Sequence, residues 1–275
     1  MNKEQNIENI DPNETTQKVN QCGFMLELNT KDKTAIIVDI TTNLTQISFP
    51  KYINYDAQNY LITKIQKARC NAEIIHFAED SLLQNHLFYG LYRLQIVTLS
   101  PHITEIKDYA FAECNQLHTV QFKPNSELQT IGKMAFEKTG LKKFTIPQHV
   151  KKICEKTFWL CSKLEEVEVV PNSELQIIEK EVFLSSSIKS LTIPSSINEL
   201  QVGWCQNTPK LVNINIIQNE KKNIMNYNDM FILGKSNLES DVFDILIFAR
   251  RDIKTAEIPS FIRIISPYAF EWCTQ

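Results

Sequence analysis

Apolar residues return at fixed intervals along most of this chain. Two apolar residues three positions apart are followed five positions later by phenylalanine, as in Ile103/Ile106/Phe111. Between residues 88 and 205 the aromatic position recurs in steps of 22 to 25 residues, and cysteine occupies the last of these positions. Such a period predicts a solenoid, because one unit is too small to bury its own apolar side and must stack on its neighbours. The predicted repeat core consists of Phe88, Phe111, Phe136, Phe158, Phe183, Cys205 and Phe270.

A second pattern, apolar-x-x-apolar-x-apolar, follows each aromatic position, as in Leu117/Val120/Phe122. Its alternation predicts one short strand per repeat. Stacked repeats would align these strands as a parallel sheet on a concave side, with the phenylalanine row packed behind them. The predicted fold is α/β but dominated by strands: a curved, right-handed leucine-rich-repeat solenoid with a parallel concave sheet.

Alternate repeats carry a polar insertion. Residues 124–129 and 171–176 have the same sequence, Pro-Asn-Ser-Glu-Leu-Gln, at an offset of 47 residues that spans two repeats. Proline, asparagine and serine favour turns, so the extra Pro-Asn-Ser-Glu is predicted to be a turn insertion.

The repeat also has a recognisable wording, I-P-x-x-[IV]-x-x-I-x-x-x-A-F-x-x-C-x-x-L, of which residues 103–117 with Ala110, Phe111 and Cys114 are a close instance. This wording resembles the leucine-rich repeat of the BspA type, over roughly residues 40 to 275. Some positions depart from it: Val182 replaces the alanine of one repeat and Cys205 the phenylalanine of the next. The resemblance implies a surface antigen or adhesin of the kind found in bacteria and parasitic protists.

The ends and one internal segment break the repeat. Strand-like alternation at 24–28 and 34–38 predicts a hairpin that caps the first repeat, and apolar runs at 230–233 and 243–248 predict a second hairpin inserted between repeats. The last repeat has no polar capping unit, which favours self-association through that end. The predicted organisation is a disordered polar tail (1–20), a cap with a first irregular repeat (21–69), leucine-rich repeats (70–218), an inserted hairpin (219–252) and a resumed, incomplete repeat (253–275).

Composition narrows the function classes. A net charge of -3 from 29 basic and 32 acidic residues gives no footprint for nucleic acid. No apolar run is long enough for membrane insertion. The N-terminus lacks a signal-peptide core, so a cytoplasmic location stays open beside the cell surface that the resemblance implies. The seven cysteines form no C-x-x-C pair, and those recurring three residues after the aromatic position are interpreted as small buried hydrophobes. We therefore expect no metal and no cofactor.

The candidate binding face consists of the outward positions of the predicted strands. Three glutamates on one strand lie between lysines of the adjacent strands, which predicts a structural Lys–Glu–Lys ladder, with a charged recognition patch as the alternative. The face comprises Gln95, Thr98, His118, Thr119, Gln121, Lys142, Lys143, Thr145, Glu165, Glu166, Glu168, Lys189, Ser190, Thr192, Asn213 and Asn215.

No catalytic constellation stands out along the chain, so we interpret it as a non-catalytic module. Its expected partner is a protein or glycoprotein, bound in cell adhesion as a surface antigen. The alternative is an intracellular scaffold that uses the same face. An enzyme would require a pocket of convergent titratable groups between the solenoid and the insertion at 219–251.

Overall fold

The computed structural model describes residues 16–66, 70–77 and 87–273, and this part of the chain is built from strands without a helix. The repeat solenoid predicted from the sequence is confirmed. The strands of successive repeats are joined by turns, so the α/β description narrows to an all-strand solenoid in the described residues.

The N-terminal part contains the predicted cap. Five of its six strands form one sheet in the order β1-β2-β3-β6-β5, whereas β4 belongs to the solenoid. The predicted hairpin is the antiparallel pair β2/β3. The strands are β1 (Thr16–Gln21), β2 (Phe24–Asn29), β3 (Thr34–Ile40), β4 (Gln46–Phe49), β5 (Tyr52–Tyr55) and β6 (Gln58–Ile65).

Strand β1 corrects the predicted tail. Residues 16–20 were expected to be disordered, but they belong to β1, which pairs antiparallel with β2 along the whole strand. Val19 is buried opposite Leu26, and this pairing satisfies the edge of β2. The prediction was wrong here because it rested on the polar composition of the segment and did not consider its one apolar residue, Val19. Residues 1–15 of the predicted tail lie outside the described residues.

Each solenoid repeat contributes one strand of four or five residues, and most add a strand of two residues. The longer strands form two four-stranded groups, β10-β8-β7-β4 and β12-β14-β16-β18, here called the front sheet. The short strands form one uninterrupted back sheet, β17-β15-β13-β11-β9. The strands are β7 (Ile74–Phe77), β8 (Ile96–Leu99), β9 (Glu105–Ile106), β10 (Thr119–Phe122), β11 (Thr130–Ile131), β12 (Lys143–Ile146), β13 (Lys152–Ile153), β14 (Glu166–Val169), β15 (Ile177–Ile178), β16 (Ser190–Pro194), β17 (Glu199–Leu200) and β18 (Asn213–Ile217).

A column of phenylalanines fills the space between the two sheets. Phe88, Phe111, Phe136, Phe158 and Phe183 are fully buried, with successive ring centroids 5.4, 5.5, 5.8 and 5.6 Å apart and nearly parallel planes. The column repeats at about the spacing of the strands because each repeat supplies one ring to the same place. Each buried ring stabilises the solenoid by roughly 2 to 3 kcal/mol of hydrophobic free energy.

The column changes after Phe183. Cys205 is buried at the next aromatic position, and the ring of Trp204 meets Phe183 edge-on at 6.4 Å. Phe270, the last predicted core residue, is half-buried and packs against Phe231 at 6.1 Å.

The predicted inserted hairpin is present as the antiparallel pair β20/β21, and a further strand, β19, pairs with β20. Strand β21 also pairs in parallel with β22, so the insertion and the resumed repeat share one sheet across the predicted boundary. Just beyond β21, the buried guanidinium of Arg251 donates to the carbonyls of Tyr268 and Ala269. The strands are β19 (Ile224–Tyr227), β20 (Phe231–Gly234), β21 (Ile245–Ala249) and β22 (Ile264–Ile265).

Candidate binding face

Eleven of the sixteen residues of the predicted face lie on front-sheet strands, the other five lie directly before a strand, and none of the sixteen is buried. Along each strand, inward apolar residues alternate with these outward polar residues. The parallel register aligns them into rows: Gln121 lies beside Thr98, and Thr145 lies beside Glu168. In the same way, Asn215 lies beside Thr192. The alternation of each strand and the parallel register therefore produce one polar surface across several repeats.

The predicted charge ladder is formed on this surface. Lys143 Nζ lies 3.0 Å from Glu168 and 3.4 Å from Glu166, and Lys189 Nζ lies 2.9 Å from Glu165. Hydrogen bonding to Glu168 raises the pKa of Lys143, and hydrogen bonding from Lys189 lowers the pKa of Glu165. Solvent screens exposed pairs of this kind, so they mainly determine the charge of the face and contribute little to stability.

At the start of the strands, the face opens into a depression of about 560 Å³. Its lining carries lysine, histidine and glutamine side chains. Three of its residues, Gln116, Gly140 and Lys163, were missed by the sequence reasoning because they precede the strand pattern. Their shared position, directly before the first leucine of the repeat, was the available signal. The lining consists of Gln95, Gln116, His118, Gly140, Lys142 and Lys163.

At the other end of the same strands lies a second depression, of about 420 Å³, whose lining includes four apolar side chains. Val120, Phe122, Pro147 and Val170 contribute to its lining. The polar insertions border this edge, and each places a glutamate against a histidine; His149 Nδ1, for example, lies 2.8 Å from Glu174.

A smaller depression of about 200 Å³ lies between β18 and the inserted strands. Asn213, Asn215 and Asp229 line it together with Arg250. The Arg250 guanidinium is held by Asp252 through two hydrogen bonds of 2.7 and 3.0 Å, and this contact lowers the pKa of Asp252. The Arg250 side chain is thus held in an ion pair within the chain.

Of the three cysteines that recur after the aromatic position, Cys114 and Cys161 lie in the core, whereas Cys273 is only partly buried. The Cys114 thiol donates to the carbonyl of Phe88 at 3.1 Å, and that of Cys161 donates to Phe136 at 3.0 Å. Burial raises the pKa of Cys114 to about 12 and that of Cys161 to about 11. At neutral pH these thiols are protonated and packed as small hydrophobes.

Within the described ranges, no three or more histidine, cysteine, aspartate or glutamate side chains converge as a metal site. No helix in the described part of the chain has the length and apolarity needed to span a membrane.

Known structures share this architecture. The chain is similar to the pneumococcal vaccine antigen PcpA, with a TM-score of 0.66 and 16% identity over 92% of this chain; it spans 62% of the PcpA chain. It is also similar to a leucine-rich cell surface protein from Faecalibacterium prausnitzii, with a TM-score of 0.61 and 20% identity over 94% of this chain and 68% of that one. At these identities the likeness shows the fold. No curated protein sequence matches this chain.

A family model described as the BspA-type leucine-rich repeat region matches residues 81–212 and 170–275, in six copies. These matches cover well over half of the chain and include the front strands β8 to β18. Proteins built from such repeats are in general non-catalytic and bind protein ligands. The chain belongs to the BspA-type leucine-rich-repeat family.

Proposed function

We propose that this chain is a non-catalytic binding module whose front face recognises a protein or glycoprotein, and that it acts in cell-surface adhesion as a surface antigen. The observation that carries the proposal is the rows of outward polar side chains held in register across successive front strands. A rigid solenoid presents such a surface with little loss of conformational entropy on binding.

The two faces of the solenoid differ in a way that supports this choice. The back sheet and its turns are covered by interrepeat ion pairs; for example, Glu155 accepts from Lys133 at 3.3 Å and Lys180 at 3.5 Å, and Lys156 pairs with Glu181 at 3.1 Å. On the front face, Lys142, Lys163, Asn213 and Asn215 are exposed to solvent, where a partner can reach them. We therefore assign binding to the front face.

Site-specific photocrosslinking tests this assignment. A photoreactive amino acid is introduced at Thr192 on the front face or, as a matched control, at Lys180 on the back, and each protein is incubated with intact host or neighbouring cells. We expect one cell-surface protein to be crosslinked from Thr192 and not from Lys180. Crosslinking from Lys180 alone would assign binding to the back.

Location separates the adhesin from an intracellular scaffold that uses the same face. The structural likeness to a cell surface protein and to a vaccine antigen favours the adhesin. Surface biotinylation and protease shaving of intact source cells should label and remove the protein if it is an adhesin. Protection from both reagents would favour the scaffold.

Self-association is a second candidate, favoured by apolar exposure beyond β21. Ile264 and Ile265 are 48% and 49% exposed, whereas Ile106 and Ile131, at the position of Ile265 in earlier repeats, are fully buried. A second copy stacked there would cover these side chains. Sedimentation velocity at increasing concentration should show a dimer that Ile265→Lys abolishes, and a monomer at all concentrations would exclude this candidate.

A further inference from the structure

The front sheet is interrupted at one place within the described repeats. Elsewhere, the residue that leads into each strand donates to the corresponding carbonyl of the preceding repeat: Glu165 N to Lys142 O at 2.8 Å, and Lys189 N to Glu165 O at 2.8 Å. The equivalent bond from Lys142 N to His118 O is absent, and no ladder pair joins β10 to β12 in the described residues. The back sheet continues across the same repeats, since Ile131 pairs with Ile153. The repeats are therefore joined at the back and parted at the front.

The polar insertions account for the position of this gap. The ladders β8/β10 and β12/β14, with no insertion between their strands, each have four residue pairs, and β16/β18 has five. The ladder that crosses the insertion at 171–174 has two pairs, and the one that would cross 124–127 has none. The second case also carries a bulky ring: Phe122 occupies the place of Leu99 and Ile146 and meets Phe144 edge-on at 5.8 Å. The insertion and this ring together keep the strands apart.

The gap brings core side chains to the surface. Val120 and Phe122 are half-buried, whereas the equivalent residues of the neighbouring strands, Val97 and Leu99 before them and Phe144 and Ile146 after them, are at most 2% exposed. The facing edges of β10 and β12 also lack ladder partners. Strand edges without ladder partners, next to partly exposed apolar side chains, can bind another extended segment as an additional strand.

The two ends of the gap differ chemically. At the strand starts lie the cations of the larger depression, where Lys142 and Lys163 have no carboxylate of the described residues within 4.0 Å of the ammonium group. No acidic residue lines that depression. At the strand ends the gap leads to the apolar side chains of Val120, Phe122 and Val170. A matching ligand therefore carries negative charge at one end and an apolar side chain at the other.

We propose that the gap between β10 and β12 binds an extended peptide segment of a protein partner by adding its main chain to the open strand edges. An acidic side chain of the segment lies against His118, Lys142 and Lys163, and an apolar side chain packs on Val120 and Phe122. The two side chains are about four residues apart, since the strands span roughly 13 Å at 3.3 Å per residue. This inference rests on the proposed function, because it assigns the partner class and the site on the front face.

A sulfated glycan is the rival ligand for the cationic end. It would use Lys142 and Lys163, but it would leave the apolar end and the two strand edges without a partner. The peptide accounts for all three features, and main-chain pairing supplies the property that distinguishes it from the glycan.

Fluorescence anisotropy with synthetic probes tests the proposal on the full chain. The first probe is a peptide of about twelve residues with paired aspartates and, about four residues away, a leucine, joined by alternating threonine and valine. The second has the same sequence with alternate backbone amides N-methylated, and the third is a sulfated heparin oligosaccharide. Both peptides are made with the aspartates at either end, because the orientation of the bound strand is open.

We expect the unmethylated peptide to bind in one orientation and the N-methylated peptide to lose at least tenfold in affinity. Lys142→Glu combined with Lys163→Glu should weaken binding by about tenfold or more. Lys210→Glu is the matched control, because Lys210 has the repeat position of Lys163 but lies outside the depression, and it should change affinity less than twofold. Circular dichroism of each variant checks folding.

Equal affinity for the N-methylated peptide, or indifference to the double lysine variant, would overturn the proposal. Binding of the oligosaccharide with no binding of either peptide would overturn it too and assign the depression to a glycan. If a cell-surface protein still crosslinks from Thr192 in any of these cases, the proposed function stands and only the gap is excluded. Loss of that crosslink alone would contradict the proposed function.

Discussion

The front strands β16 and β18 are paired, whereas β10 and β12, with a polar insertion between them, are not. Five ladder pairs join β16 to β18, and Leu191 and Ile193 beneath them are fully buried. No ladder pair joins β10 to β12, and Val120 and Phe122 are partly exposed there. Behind β10 and β12, the back strands β11 and β13 remain paired. The front ladder can therefore be interrupted while the back ladder keeps neighbouring repeats stacked.

The largest expected effect compares the core column with the gap. Phe136→Ala should destabilise the chain by roughly 3 to 5 kcal/mol, because the ring is fully buried between Phe111 and Phe158. Phe122→Ala should cost clearly less, about 1 to 2 kcal/mol, since Phe122 is partly exposed. Urea unfolding followed by circular dichroism measures both. Equal losses would mean that the gap is closed in solution.

Hydrogen exchange sharpens the comparison at single amides. The Lys142 amide has no described partner, whereas the Glu165 amide donates to Lys142 O and the Lys189 amide to Glu165 O. We expect the Lys142 amide to exchange about a hundredfold faster than these two. Exchange resolved by NMR gives the rates, and equal protection would show a paired β12 edge.

Gly140 tests how closely the repeats approach beside the gap. A methyl group there would lie 2.6 Å from the carbonyl oxygen of Asn115, so Gly140→Ala should destabilise the chain by roughly 1 to 3 kcal/mol. Ser187→Ala, at the same repeat position in a paired ladder, should stay within about 0.5 kcal/mol of the parent. Thermal and urea unfolding compare the two, and a neutral Gly140→Ala would mean that the backbone can separate further.

The smallest effect concerns the ion-pair ladder of the closed region. Hydrogen bonding from Lys189 lowers the pKa of Glu165, so the contribution of this pair is present above the unfolded-state pKa and is lost as pH falls through the folded-state pKa. Lys189→Ala should raise the pKa of Glu165 toward its ordinary value. An NMR titration of the Glu165 side chain measures this, and an unchanged pKa would assign the shift to other neighbours.

Much of the fold could be predicted because the same sequence pattern recurs in successive repeats. The core positions from Phe88 to Phe183, the strand of each repeat and the Lys143–Glu168 ladder all follow from a fixed period and an alternating strand. That the predicted face binds a partner stays a prediction. Strand β1 was missed because Val19 is a single apolar residue in a polar segment, and its pairing with Leu26 is a contact that composition does not reveal.

The gap shows where this kind of prediction stops. The strand with Leu117, Val120 and Phe122 has the same apolar pattern as its paired neighbours, and both insertions have the same Pro-Asn-Ser-Glu sequence. The sequence by itself determined the repeat, its core residues and the polar face, because burial of one side of every unit requires them. Only the tertiary structure decided which strands pair, because pairing depends on the distance between neighbouring units, set jointly by ring size, turn length and the continuous back ladder.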